Sequence, residues 1–180
     1  MNQKQSFLVP LFVGINLVVF LLWHSYSPEF MSENFAVSWT RLEEGRYWTL
    51  LTSVFSHNYL FHFLINMIVL WSFGRLLEMI LGMRLFFSFY MTAGIVGSLS
   101  HAVLGNFYIH QPDQLAVGAS GAIAGLILLF SLMFPKEKNK RDMQMHLYYL
   151  NLVLYDLNKQ GHRSKLELCL SSFLLFSSNF

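Results

Sequence analysis

A hydroxyl flanked by glycines sits in an apolar run of this chain: the decapeptide AVGASGAIAG, residues 116 to 125, places Ser120 between Gly118 and Gly121. Serine is a poor nucleophile at its free pKa. To attack a carbonyl it needs a base within hydrogen-bond reach and donors aimed at the oxyanion that forms. Glycines beside it let a substrate backbone approach closely and leave the Ser120 N–H free to donate. A second group of chemistry-bearing side chains lies earlier, in SHNYLFHFLINM, which carries His57, Asn58, His62 and Asn66. His62 and Asn66 are four residues apart and project from one helical face. Both groups also admit a structural reading. Gly121 and Gly125 form a small-xxx-small pair that packs helices closely, and an imidazole or carboxamide can bond neighbouring helices together for about 1 kcal/mol. A polar ion path is a further alternative for His62 and Asn66.

The elements that would position these residues are membrane spans. Of the 180 residues 54% are hydrophobic and only 12% charged, about half the charge of an ordinary soluble domain. The apolar residues come in long blocks, from Phe7 to Trp23, Tyr59 to Phe73, Leu81 to Leu104 and Leu115 to Phe134, each near the ~20 residues that cross a ~30 Å core. Two weaker blocks follow, Met145 to Leu157 and Leu166 to Phe180. No small-residue cleavage site follows the first block, which reads as a retained span and not as a signal peptide. The single cysteine, Cys169, excludes an internal disulfide and Cys-based metal motifs. Trp23 and Trp71 fit interfacial anchors, and Arg46, Tyr47 and Trp48 fit an interfacial loop.

Positive charge sets the orientation, because cytoplasmic loops retain Lys and Arg. Lys4, Arg75, Arg84 and the run PKEKNKR mark the N-terminus, the 74–84 connection and the 135–142 connection as inside. The 24–56 and 105–114 segments then lie outside. With the fourth span starting at Leu115, Ser120 falls near its outer end, about five residues or ~8 Å into it at 1.5 Å per residue. His62 and Asn66 enter from the same outer side, so a hydroxyl, an imidazole and a carboxamide meet at one depth on two helices. Buried polar groups at that depth mark a site by default.

In this order and on these spans, GRYWTLLTSVFSHNYLFHFLINMIVLWSFG, LEMILG and VGASGAIAGL resemble the rhomboid intramembrane serine proteases, over about residues 41 to 135. A Gly-x-Ser-Gly alone is a weak signal; joined to His-x-x-x-x-His-x-x-x-Asn on an earlier span it is a specific one. The resemblance implies Ser120 as nucleophile, with its own N–H donating to the oxyanion and Gly118 in the loop that shapes the oxyanion site. It implies His62 and Asn66 as side chains that assist that stabilisation, and His57 as a support for the first loop. Arg46 resembles the arginine of the family's membrane-embedded loop, although here the tryptophan, Trp48, follows it. Glu78 and Gly82 resemble the structural end of the second span and the turn after it.

In that family the base is a histidine on the sixth span, followed by glycines that press its helix against the serine-bearing one. The histidine in a comparable place here is His162, in KQGHRSKLELCLSSF, which no glycine follows. Two accounts fit: a divergent last third in which His162 still reaches Ser120, or a C-terminal region truncated or altered after about residue 158. His101 and His146 are weaker candidates, and His146 follows the cytoplasmic basic run.

The sequence thus predicts an all-α polytopic membrane helical bundle of the rhomboid type with about six transmembrane helices, the last two short or divergent. Residues 1–180 form one domain, of which 136–180 is the divergent or truncated part. The implied activity is serine-type endopeptidase cleavage in or near transmembrane segments of protein substrates within the lipid bilayer. The alternative is an inactive rhomboid-like protein that binds transmembrane clients. No metal or cofactor is implied, since there is no His-Glu-x-x-His and no Gly-rich phosphate loop, and no nucleic acid. The short termini point to a bacterial inner membrane with the N-terminus cytoplasmic, or else an organelle membrane. Oligomeric state is not legible.

Overall fold

A computed structural model of the chain describes residues 6–133. Four apolar helices and three short ones account for most of them. Helix α1 is Leu8–Trp23, α2 Pro28–Phe35, α3 Trp39–Glu43, α4 Thr49–Thr52, α5 Leu60–Leu81, α6 Met83–Phe107 and α7 Ser120–Met133. Helices α5 and α6 are long and apolar enough to cross a membrane; α1 and α7 are shorter apolar helices. The two weak C-terminal blocks, His146 and His162 lie outside the described residues.

Two boundaries differ from the apolar blocks of the sequence. Helix α5 continues to Leu81, beyond Phe73, because the residues that end the apolar run do not break a helix. One of them, Glu78, is almost fully buried. Its carboxylate accepts the backbone N–H groups of Phe7 and Leu8 at 2.8 Å and of Val9 at 3.1 Å, and the Ser6 hydroxyl also donates to it. An anion at the N-terminus of α1 satisfies the first-turn donors, which have no intrahelical partners, and opposes the positive end of the helix dipole. The span ends at Gly82, whose φ of +78° a residue with a Cβ rarely adopts, and α6 starts immediately after it. The second difference is the start of α7, at Ser120 instead of Leu115.

The 24–56 segment, between the first two apolar helices, is largely helical. Ser27 and Ser38 accept the Phe30 and Arg41 amides at 3.2 and 3.3 Å and cap α2 and α3. A single 3₁₀ turn, Ser53–Phe55, then dips against the bundle. Phe12 of α1 packs there, with ring centroids 5.7 Å from Phe55, 6.3 Å from Phe86 and 4.7 Å from Tyr90. Midway along α5 the helix widens to a π segment, Leu70–Gly74. A Cβ on Gly74 would come within 2.9 Å of the Val9 side chain, so the glycine sets how closely α1 and α5 approach.

Helices α6 and α7 meet on small residues. A Cβ on Gly97 would stand 2.9 Å from the Gly121 Cα, and one on Gly125 2.7 Å from the Ala93 Cβ. The expected small-xxx-small face therefore has a specific partner, Ala93 and Gly97 of α6. We expect Gly97→Ala to destabilise the protein by about 1–3 kcal/mol, because the new methyl meets backbone that has no rotamer to escape into. Gly14→Ala, where a Cβ would meet nothing within 4 Å, should be neutral or stabilising. Thermal unfolding in detergent compares the two, and equal melting would show that α6 and α7 separate without loss. By the same measurement Glu78→Ala, which orphans three amides, two of them buried, should cost about 3 kcal/mol or more. Glu78→Gln keeps one acceptor oxygen and should cost less; an Ala variant no worse than the Gln variant would contradict this account.

Candidate active site

The segment before Ser120 cannot be helical, because Gly118 takes φ +125° and the residues around it are tied elsewhere. Val37 and Ala116 exchange both backbone hydrogen bonds, at 3.0 and 2.8 Å. The Gly118 N–H donates to the Ser53 carbonyl at 2.9 Å, and the Ala119 N–H to the His57 Nε2 at 3.4 Å. Ser120 is therefore the first residue of α7, not the sixth residue of a span that begins at Leu115. The first intrahelical bond runs from the Ile123 N–H to the Ala119 carbonyl at 2.9 Å. The amides of the first turn, beginning with that of Ser120, point away from the helix without intrahelical acceptors, at the positive end of its dipole. Such a terminus suits a developing oxyanion. Ser120 itself is half-buried, so its hydroxyl can be reached.

The glycine does a second job. A Cβ on Gly118 would lie 2.6 Å from His62 Cε1 and 2.9 Å from His62 Nε2. The His62 ring therefore packs flat against the backbone two residues before Ser120. His62 and Asn66 are both buried on α5, and the Asn66 Nδ2 donates to the His62 carbonyl at 2.9 Å, which leaves its second N–H available. His57 stands 5.0 Å from His62, ring centroid to centroid, edge to face. Burial, with the His62 ring beside it, pushes the His57 pKa down, so this histidine is neutral at physiological pH and can accept a hydrogen bond. Gly118, His57 and His62 thus come together from two distant parts of the chain. Asn66 lies one turn further along α5, and Ser120 directly follows the tied strand.

Other residues singled out in the sequence sit around this centre. His101 bonds the Gln114 carbonyl at 3.0 Å and holds the strand's approach. Arg46 pairs with Glu33 at 3.2 Å and Glu44 at 3.1 Å, closing the outer helices on themselves. Trp71 is exposed and stacks under Arg75, 5.0 Å from its ring centroid; it lies in the π segment midway along α5, not at the span end an interfacial anchor occupies. Trp23 does more than anchor: its indole N–H donates to Ser56 Oγ at 2.7 Å, next to His57. Ser53 and Val37 carried no signal in the sequence, since each acts on the strand through its backbone.

The chain matches the Rhomboid domain over residues 44–158, more than half its length. It belongs to the rhomboid family. The match runs beyond residue 135, where the resemblance read from motifs ends, and stops short of His162. Rhomboid protein 1, mitochondrial, of Saccharomyces cerevisiae is 35% identical over 134 residues, which cover 73% of this chain and 38% of that protein. RHOMBOID-like protein 12, mitochondrial, of Arabidopsis thaliana is 30% identical over 133 residues, 67% of this chain and 40% of the relative. Rhomboid protease GluP of Bacillus subtilis is 30% identical over 144 residues, 78% of this chain and 26% of the protease. The chain spans less than half the length of these curated relatives. As a rhomboid it is membrane-embedded. Mitochondrial names among the relatives remove the weight that short termini gave to a bacterial inner membrane.

Gly118→Ala tests the geometry. The methyl would need a backbone conformation costing about 1–3 kcal/mol outside glycine and would overlap His62. The variant should lose labelling of Ser120 by a fluorophosphonate probe by at least about tenfold while remaining folded by circular dichroism. Unchanged labelling would mean that the Gly118–His62 contact is dispensable.

Proposed function

We propose that this rhomboid is a serine-type endopeptidase that cleaves peptide bonds in or near the transmembrane segments of other membrane proteins. The observation that carries the reading is the meeting of a helix N-terminus at Ser120 with buried His62 and Asn66 of another helix. Ser120 Oγ attacks the scissile carbonyl carbon, and its proton passes to His162, the base this reading assigns. The carbonyl oxygen becomes an oxyanion that accepts from the Ser120 N–H, the Asn66 side-chain amide and the His62 ring, with Gly118 giving the room. Collapse of the tetrahedral intermediate expels the amine, which takes the proton from His162, and leaves an acyl group on Ser120. Water, deprotonated by the same histidine, then releases the acid.

The name of the related Bacillus protein, a rhomboid protease, supports the reaction class. A transmembrane helix hides its carbonyls in its own hydrogen bonds, so a substrate must unwind locally before Ser120 can reach one. Positive charge at the 74–84 and 135–142 connections supports an orientation in which the site opens toward the outer face.

Reconstitution with a transmembrane reporter substrate is the test. Ser120→Ala should abolish cleavage and fluorophosphonate labelling, and His162→Ala should lower both by about 10³-fold or more. Cleavage by Ser120→Ala equal to wild type would overturn the peptidase reading. Wild-type protein that binds the reporter without cutting it would assign the chain as an inactive client-binding rhomboid. Full labelling of His162→Ala would take the base away from His162.

A further inference from the structure

We propose that His57 is a positioning residue for Ser120: its Nε2 holds the Ala119 amide and so fixes the direction in which the next amide, that of Ser120, points. The catalytic consequence rests on the peptidase reading, but the positioning itself does not. Three amides of the strand before α7 have identified acceptors, and two of these are backbone carbonyls, Val37 for Ala116 and Ser53 for Gly118. For Ala119 the acceptor is a side chain. Ala119 is the turn residue directly before α7, and fixing its N–H limits the rotation of the peptide plane that carries the Ser120 N–H.

The chain goes to some length to supply that acceptor. His57 is fully buried, in edge contact with the rings of His62 at 5.0 Å and Phe63 at 5.8 Å. Its neighbour Ser56, also fully buried, receives the Trp23 indole N–H. Accepting at Nε2 forces the ring proton onto Nδ1, and Nδ1 is buried with no hydrogen-bond partner among the described residues. An aromatic hydrocarbon of similar size would fill the space without stranding a donor. What histidine adds over phenylalanine at this position is the Nε2 lone pair.

The test compares His57→Phe, His57→Gln and His57→Asn in the full chain in lipid nanodiscs. Phenylalanine keeps the ring and loses the acceptor; glutamine carries an oxygen out to about the Nε2 position; asparagine carries one only as far as Nδ1. Amide hydrogen exchange in residues 116–121 should be about tenfold faster for Phe and Asn, the order set by one hydrogen bond, and close to wild type for Gln. Exchange in α6 should not change. On the reporter substrate the same order should appear in kcat with KM unaltered, because the lost interaction acts on the transition state. Wild-type exchange in His57→Phe overturns the proposal. If the Phe variant loosens α6 as well, the Gln and Asn variants decide, and equal exchange in those two overturns it. Wild-type protein that exchanges as expected but never labels with fluorophosphonate removes the peptidase reading and leaves the positioning role standing.

Discussion

One hydrogen atom's worth of space at Gly118 governs this structure. The His62 ring occupies the volume a side chain would need, and the backbone there adopts a φ of +125° that ends any helix approaching from Leu115. Because the chain is non-helical up to Ala119, α7 must begin at Ser120, and its first-turn amides, which have no intrahelical acceptors, gather beside the buried histidine and asparagine of α5. Moving the start of α7 by one residue would rotate Gly121 and Gly125 by about 100°, away from Gly97 and Ala93. Helix packing and site geometry therefore share one register, set by the same glycine.

Several polar groups in this bundle are tied to protein partners, because the surrounding hydrocarbon offers no substitute for a lost one. Glu78 takes up three amides and a hydroxyl at the foot of α1. Asn16, wholly buried, turns its amide back onto the Phe12 carbonyl at 2.8 Å. Asn66 does the same onto His62. A carboxamide turned back onto its own helix satisfies one N–H and keeps a second donor in reserve, while the Oδ1 of each has no hydrogen-bond partner among the described residues. Asn16 and Asn66 are chemically alike, and what distinguishes Asn66 is its place one turn from a histidine packed against the serine-bearing loop.

How much of this could be read from the sequence follows from where the information resides. His62 and Asn66 were legible because a four-residue spacing fixes a common face, and Ser120 because glycines around a lone hydroxyl in an apolar run are unusual. The small face of α7 was visible, but its partner was not: Ala93 and Gly97 have the same spacing as many lipid-facing pairs. The apolar run alone stops α5 at Phe73, whereas the resemblance puts Glu78 at the end of the span and Gly82 at the turn after it, where the structure has them; what stayed hidden was that the Glu78 carboxylate caps α1. The start of α7 was hidden because Leu115 to Ala119 is as apolar as the helix it precedes; the cross-links to Val37, Ser53 and His57 keep it out of the helix. Ser53 and Val37 act through backbone atoms that every residue has, so no side-chain type could have announced them.

Those cross-links also answer a question of hydrogen bonding. Residues 115 to 119 are as apolar as the helix they precede, yet none of them is helical, and in a membrane-embedded chain backbone without helical hydrogen bonds needs other partners. Such backbone persists only where protein, not lipid, satisfies it. The segment from Trp23 to Tyr59 does so: Val37, Ser53 and His57 come from three separate parts of it, and they meet Ala116, Gly118 and Ala119 in turn. This segment therefore does more than connect two spans. It supplies hydrogen bonds that a further helical turn before Ser120 would have made, and so lets α7 start there with the amides of its first turn free of intrahelical acceptors.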